Sequence, residues 1–274
     1  MIDRIDARGW LVVPAVLLVG VLFAYPVSWL LVLSATDPEP GLRNFTTLLE
    51  SPVYLKALWN TILISGSVTL LCVLLGYPIA YAMAHAGERL RRLLIFIVLI
   101  PFWSSILVRT FAWMVLLQQK GLINRTLIEY LGLIETPLTL IYNRTGVLIG
   151  MSHILLPFMI LPLYSVLNRI EPSLSQAAAS LGAPPVRNFA RVYLPLSLPG
   201  LIAGSVLVFV MGLGYYITPA LLGGPGDVMI AQLIEMQIAD FGNWGLAGAL
   251  ALVLLLGTTT TFLLVSSSLI EGVR

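Results

Sequence analysis

The stretch from Glu171 to Gly200, EPSLSQAAASLGAPPVRNFARVYLPLSLPG, lies between two long apolar runs and carries a helical pattern of its own. Pro172 suits the first position of a helix, where a missing backbone N–H costs nothing. The small and apolar residues that follow share one helical face: Leu174, Ala177, Ala178 and Leu181. Gly182 predicts that this helix ends in the left-handed backbone conformation.

A second short helix is predicted to begin after Pro184 and Pro185. One of its faces is apolar and comprises Val186, Phe189, Ala190 and Tyr193. The opposite face is basic and comprises Arg187 and Arg191. Two further prolines are expected to turn the chain into the next apolar run at a fixed angle: Pro195 and Pro199. The stretch therefore predicts two short amphipathic helices joined by a glycine elbow, a pattern that also fits a hairpin resting on lipid headgroups.

The composition is that of an integral membrane protein embedded in a lipid bilayer. Of 274 residues, 58% are hydrophobic and 10% are charged, whereas soluble domains carry roughly 25% charged residues. The net charge of +2 is scattered, so no basic stripe predicts nucleic-acid binding. The single cysteine, Cys72, lies inside an apolar run, which excludes an internal disulfide and a thiolate metal cluster and indicates a packing residue.

Six stretches are long enough to cross a bilayer as helices, since a crossing needs about 20 apolar residues. We predict spans near residues 10–34, 57–84, 93–117, 146–167, 199–222 and 244–270. The first lacks a cleavage site of small residues and is expected to be an uncleaved anchor. The fold class is therefore all-α, a polytopic bundle of six transmembrane helices. Small-residue pairs predict close helix contacts within the bundle or across a subunit interface: Gly200 with Gly204, and Gly245 with Gly248.

The basic residues between the spans predict the orientation. Nine Lys and Arg residues fall on the side that holds both termini and the central loop, and five fall on the other side. Basic residues are enriched in cytoplasmic segments. We therefore expect the N-terminus, the C-terminus and the loop of residues 169–198 to be cytoplasmic.

The last outer loop, Gly223 to Asn243, combines glycines, a short helix and three carboxylates: Asp227, Glu235 and Asp240. It contains no basic residue. Such an acidic rim would favour cations. The alternative is that these carboxylates are solvated or keep the loop on the outer side.

Ionisable residues are nearly absent from the predicted spans, which hold Arg109 and His153 but no Asp or Glu. Proton- and sodium-driven transporters usually place carboxylates at membrane depth, so energy is expected from another subunit. A glycine-rich phosphate loop ending in Gly-Lys-Ser/Thr is missing as well. The chain is therefore not itself an ATPase, and without a nucleophile and an acidic partner it makes a poor enzyme.

Candidate residues for a solute pathway follow from location and chemistry. Arg109 is costly in a membrane and either lines a pathway, bonds to carbonyls or reaches outward, and His153 is either a gate or a packing residue. Aromatic rings near the outer ends of spans belong to interfacial belts or contact a cationic solute. The predicted pathway set is Trp103, Arg109, Tyr215, Tyr216, Glu235 and Asp240.

The central loop resembles the EAA motif of ABC-importer permeases, in which paired alanines precede Gly, an apolar helix, Leu-Pro and Pro-Gly. Here Gln176 stands where that family usually has an acid. The resemblance implies a loop that docks into a groove on a separate ATPase subunit and carries its motion into the membrane. The coupling residues it implies are Gln176, Ala177, Ala178, Leu181, Gly182, Ala183, Arg187 and Phe189.

Three further blocks extend the resemblance: RTFAWMVLLQ (109–118), LPFMILPLYSVL (156–167) and ITPALLGGP (217–225). Together they are similar to permease subunits of spermidine/putrescine-type ABC importers. The resemblance implies a type I importer permease, one domain over residues 1–274 in a bacterial inner membrane. It also implies a second homologous permease, two ATP-binding cassette subunits that bind the ATP and Mg²⁺, and an external solute-binding protein. This chain itself is expected to bind no cofactor.

Polyamine is the cargo that this resemblance favours. Relatives of the same type serve amino-acid-like compounds such as γ-aminobutyrate, or ferric iron. The rivals from other classes are a secondary transporter or channel that needs no nucleotide, and a scaffold that binds the ATPase without transporting.

Overall fold

The computed structural model describes residues 12–271, with side chains described as far as residue 263. Regular structure in this part of the chain is entirely helical, as predicted. The helices of the first half are α1 (Val13–Thr36), α2 (Arg43–Glu50), α3 (Pro52–His85), α4 (Glu88–Trp103), α5 (Ile106–Leu117) and α6 (Leu122–Arg125, continued by a π-helical turn, Thr126–Tyr130). Those of the second half are α7 (Arg144–Leu167), α8 (Pro172–Ser180), α9 (Pro185–Leu213), α10 (Ile217–Leu222), α11 (Ile230–Ala239) and α12 (Trp244–Glu271).

Six helical stretches in the described residues are long and apolar enough to cross a membrane, which confirms the predicted number. Four of them match the predicted spans closely: α1, α3, α7 and α12. Residues 1–11 and 272–274 lie outside the described residues, and with them the predicted start of the first span and three basic residues of the orientation count: Arg4, Arg8 and Arg274.

The third span differs from the prediction of one helix over residues 93–117. The helix is interrupted at Ser104 and Ser105, whose backbones are extended, and the apolar stretch resumes from Ile106 to Tyr130. Pro101 withholds an N–H near the end of α4, and the Ser104 hydroxyl donates to the Pro101 carbonyl at 3.1 Å. Proline and serine together favour a helix end here. The predicted span followed the length of the apolar run alone and therefore did not include this break.

The fifth span was predicted over residues 199–222, and this boundary is wrong at both ends. Helix α9 starts at Pro185 and ends at Leu213, and α10 is a separate short helix after the break at Gly214–Tyr216. The second helix of the central loop is therefore not a separate short element but the start of α9. A π-helical turn, Phe189–Tyr193, precedes Pro195, and such local adjustments let a membrane helix accommodate a proline.

The described chain forms two compact units. Among the described residues, the first comprises residues 12–55 and 233–256. In it, the buried Asn44 of α2 donates from Nδ2 to the carbonyls of Ser34 and Asp37, at 2.9 and 2.8 Å. The Asp37 carboxylate in turn accepts from the backbone N–H of Gly245 at 3.0 Å. Gly248 lies against the Leu30 carbonyl, so the second predicted glycine pair joins the first and last spans within one chain.

The second unit comprises residues 56–232 and 257–271 of the described chain and has α7 at its centre. One buried cluster joins α3, α7 and α9 and includes Ile64, Cys72, Met151, Met159 and Val208. Cys72 is fully buried, which confirms its packing role. A Cβ on Gly200 would lie 2.9 Å from Val166, and one on Gly204 would lie 2.9 Å from Met159 Sδ. The first glycine pair therefore packs α9 directly on α7.

Candidate functional site

The glycine elbow of the coupling loop (residues 169–198) has the geometry that the sequence predicts. Gly182 has φ +77°. The N–H of Ala183 bonds to the carbonyl of Ala178 at 3.0 Å, and that of Gly182 bonds to Ala179 at 2.9 Å. These two bonds define a Schellman motif, which ends a helix and satisfies its last carbonyls. The elbow is therefore fixed by the backbone of α8 itself.

Apolar side chains project from both sides of this elbow. Leu181 is 89% exposed and Val186 is 78% exposed. Ala177 is also exposed, and Ala178 is half-buried. Exposure therefore falls along the face predicted for Val186: Val186 is exposed, whereas Phe189 is half-buried and Tyr193 is buried.

Polar residues of the predicted coupling set flank this apolar surface along the chain. Gln176 and Arg187 are exposed, as is Arg191. Asn188, at the start of α9, donates from Nδ2 to the Ser175 hydroxyl of α8. The two helices on either side of the elbow are therefore tied together, while the elbow itself faces outward.

Five side chains link α9 to the end of α3; we call them the aromatic clamp: Tyr77, Tyr81, His85, Phe189 and Tyr193. The His85 ring lies 4.1 Å from that of Tyr81, and its Nε2 lies 2.9 Å from the Tyr193 hydroxyl. Phe189 meets Tyr77 and Tyr81 edge to face, with ring centres 5.6 and 5.9 Å apart. His85 was not among the predicted site residues, because it falls one residue beyond the predicted end of its span.

Arg109 lies in the first turn of α5, directly after the break in the third span. It lines a small cleft of about 120 Å³ together with Pro101, Phe102, Ile154, Pro157 and Phe158. Its Nε is buried and finds no hydrogen-bond partner among the described residues. Arg109 is near enough to Tyr215 and His153 to interact with both electrostatically. Of the predicted pathway residues, Tyr215 is thus within electrostatic range of Arg109, although it does not line the same cleft.

The other aromatic candidates take separate positions. Trp103 ends α4 and is 73% exposed, whereas Tyr216 precedes α10 and is 37% exposed. The break that carries Tyr215 and Tyr216 is held to α5 by the buried hydroxyls of Thr110 and Thr218, which lie 3.2 Å apart. The predicted ITPALLGGP block thus packs as a short helix beside the Arg109 segment.

His153 does not fit the interpretation as a packing residue. Its side chain is exposed rather than packed in the core. Its Nδ1 accepts from the indole N–H of Trp113 at 3.1 Å. Because Nδ1 accepts this bond, the proton of the neutral ring resides on Nε2.

The two acidic residues of the predicted pathway set lie in the first compact unit. Glu235 on α11 is half-buried, and Asp240 just beyond that helix is exposed. Asp227, in the second unit, is not part of a free acidic rim, because its carboxylate pairs with Arg144 at 3.0 Å. No local sequence signal could reveal that pair, since its members stand 83 residues apart.

This chain matches one family model and several known proteins. The family model described as "Binding-protein-dependent transport system inner membrane component" matches residues 73–269. The spermidine/putrescine transport system permease protein PotB of Haemophilus influenzae is 37% identical over 77% of this chain and 73% of its own length. The inner membrane ABC transporter permease protein YdcU of Escherichia coli is 34% identical over 80% of this chain and 73% of its own length.

A solved structure has the same fold. One chain from the crystal structure of a bacterial ABC transporter that imports the acidic polysaccharide alginate matches with a TM-score of 0.72. The match covers 95% of both chains at 20% identity. At this level of identity, the match shows a shared arrangement of helices and nothing more.

Proposed function

Because this chain belongs to the family of binding-protein-dependent transport system inner membrane components, we propose that it provides the membrane path of an ATP-driven importer for polyamines. It is a multi-pass inner membrane protein of the ABC-importer permease type. In the proposed complex it acts without catalysing a reaction. Two ATP-binding cassette subunits bind ATP and Mg²⁺, a second permease completes the path, and an external binding protein delivers the cargo.

The observation that carries the proposal is the exposed apolar elbow of the coupling loop. Leu181 and Val186 project on either side of a Schellman turn, Leu181 directly after α8 and Val186 in the first turn of α9. Exposed apolar residues grouped in this way are typical of protein interaction sites. The small residues beside them, Ala177, Ala178 and Ala183, allow a partner to approach closely.

The proposed orientation puts both termini and the coupling loop in the cytoplasm, where ATP is available. It follows from the excess of Lys and Arg on that side. In this arrangement residues 1–274 act as a single permease domain, and the pathway candidates Trp103, Arg109, Tyr215 and Tyr216 belong to its membrane part. Glu235 and Asp240 are proposed to face the outside.

The docking role is tested by Gly182→Arg in cells that carry the whole transporter. A long charged side chain at the elbow should block the approach of the ATPase and abolish uptake, while membrane insertion stays normal. The matched control is Gly132→Arg, at an exposed glycine outside the loop that also has a positive φ (+58°) and open space around its Cβ position. Normal uptake by Gly182→Arg would refute docking at the elbow.

The cargo is tested by uptake of radiolabelled spermidine and putrescine, with and without this chain, beside γ-aminobutyrate and ferric iron. Polyamine is proposed because PotB, at 37% identity, carries spermidine and putrescine in its name. Loss of polyamine uptake alone is the expected result. Loss of γ-aminobutyrate or iron uptake instead would reassign the cargo within the same importer.

The secondary-transporter alternative makes a different prediction. Uptake that collapses with an ionophore but survives depletion of ATP would favour it. The described spans contain no carboxylate away from their ends, and ion-coupled transport usually depends on such groups. We therefore expect uptake to follow ATP. A scaffold would show no uptake at all when the partner subunits are supplied.

A further inference from the structure

We propose that the aromatic clamp is the positioning element that transmits movement of the coupling loop to α3. This inference rests on the proposed function and identifies a route within the chain. Two of the five clamp residues, Phe189 and Tyr193, are the first and last residues of the π-helical turn in α9. The other three, Tyr77, Tyr81 and His85, line the last turns of α3.

The first step of the route lies between the elbow and the clamp. Asn188 is bonded to Ser175 on α8 and directly precedes Phe189. A displacement of the exposed Leu181 is therefore transmitted through α8 and the hydrogen bond between Ser175 and Asn188 to the start of the π-helical turn. Short rigid elements connected by hydrogen bonds can carry such coupling.

The second step is a directional hydrogen bond at His85. Its Nδ1 lies 2.9 Å from the Tyr81 carbonyl oxygen, which can only accept, so Nδ1 carries a proton. In the neutral ring, Nε2 is then the acceptor, and the Tyr193 hydroxyl donates to it at 2.9 Å. His85 thus connects the backbone of α3 to a side chain of α9 through both ring nitrogens.

The third step is ring packing that resists sliding between the two helices. Tyr81 packs against His85, Phe189 and Tyr193, with ring centres 4.1, 5.9 and 5.5 Å apart. The Tyr77 hydroxyl adds a bond to Ser197, 2.9 Å away on the next turn of α9. Both edges of the π-helical turn are therefore held against α3, and π turns occur frequently at functional sites in helices.

The test uses the full complex in proteoliposomes, with Tyr193→Phe as the variant and Tyr164→Phe as its control. The first removes the hydroxyl that bonds to His85 and keeps the ring. Tyr164 packs beside the same buried cluster, and its hydroxyl has no hydrogen-bond partner among the described residues. Spermidine uptake per ATP hydrolysed should fall roughly two- to tenfold in Tyr193→Phe, the factor that one hydrogen bond provides, and stay unchanged in Tyr164→Phe.

A second measurement is independent of the cargo. Spin labels at Ala82 on α3 and Ser180 on α8, both exposed, are placed in a Cys72→Ala background. If the clamp holds α8 in a fixed position relative to α3, the distribution of distances between the two labels stays narrow when ATP and vanadate are added. Tyr193→Phe should broaden that distribution. An unchanged distribution in Tyr193→Phe would overturn the proposal, whatever the uptake assay gives.

Two further variants separate positioning from simple packing. His85→Gln retains a donor and an acceptor and should recover part of the coupling that His85→Ala loses. The double variant His85→Ala/Tyr193→Phe should be no worse than His85→Ala, because both changes remove the same bond. Additive losses would contradict the clamp. Loop docking is judged separately, since it fails only if Gly182→Arg leaves ATP-driven uptake intact.

Discussion

Arg144 and Asp227 form an ion pair in which Nε donates to Oδ1 at 3.0 Å, although 83 residues separate them in the chain. The same guanidinium donates from Nη2 to Asn60 Oδ1 at 3.1 Å. Asn60 in turn donates to the carbonyls of Gly226 and Val228. The start of α7, the loop after α10 and α3 are thereby joined in one polar network.

Arg144→Ala should lower the free energy of unfolding by about 2 kcal/mol, because it leaves the mostly buried Asp227 carboxylate without its charged donor. Melting of the purified chain in detergent measures the loss. The matched control is Glu129→Gln, which breaks a solvent-exposed pair with Arg125 and should leave the melting temperature nearly unchanged. Equal losses in the two variants would mean that the Arg144 pair is no more than a surface contact.

Gly182 should tolerate substitutions in the order Gly, Asn, Ala, Val. The position has φ +77° and open space around its Cβ, so the cost comes from backbone strain alone. Gly182→Ala should destabilise the elbow by about 1 kcal/mol, and Asn should cost less because it accepts left-handed conformations more readily. Uptake and melting temperature should follow the same order. An alanine variant better than asparagine would show that side-chain volume, rather than φ, limits this site.

Gly204→Ala should destabilise the helix pair α7 and α9 by roughly 1–3 kcal/mol, because its Cβ would lie 2.9 Å from Met159 Sδ and 3.0 Å from a carbonyl oxygen. Gly66→Ala is the control, since that glycine lies inside α3 with nothing within 4 Å of its Cβ position. This control should be neutral or stabilising by up to about 1 kcal/mol. Thermal unfolding of both variants in the same detergent measures the difference in stability between them. A Gly204→Ala protein as stable as the unmodified chain would contradict the prediction.

Arg109→Cys, in a Cys72→Ala background, should react with a charged, membrane-impermeant thiol reagent. The pathway proposal requires water to reach this position, and Arg109 already lines a cleft. Val108→Cys is the control, because the neighbouring side chain is 64% exposed outside that cleft and should face lipid. Labelling is followed by a mass shift. Reaction at residue 108 alone would remove Arg109 from the pathway.

The parts of the fold that depend on neighbouring residues were predictable from the sequence. The elbow at Gly182 follows from local backbone preference, and the number of spans follows from the length of apolar runs. The breaks at Ser104–Ser105 and Gly214–Tyr216 have local signals, but continuous hydropathy conceals them. A hydropathy criterion measures transfer into lipid and is insensitive to where the backbone stops being helical.

The parts that depend on distant residues could not be predicted in the same way. In the sequence, Asp227 lies in a loop that contains no basic residue. Its partner, Arg144, comes from a different loop. Likewise, His85 gains its role from Tyr193, which is 108 residues further along. Such pairs arise from packing of the spans, which residue pattern alone does not specify.

The bond between the Asp37 carboxylate and the Gly245 N–H has a consequence for how the protein is made. Its partners stand 208 residues apart. At roughly 5–20 residues per second of synthesis, the first span waits about 10 to 40 seconds in the bilayer before the ribosome delivers the segment that completes its packing. During that interval α1 exposes the face that Gly248 later covers, so the first unit can complete its packing only after its last helix has been synthesised.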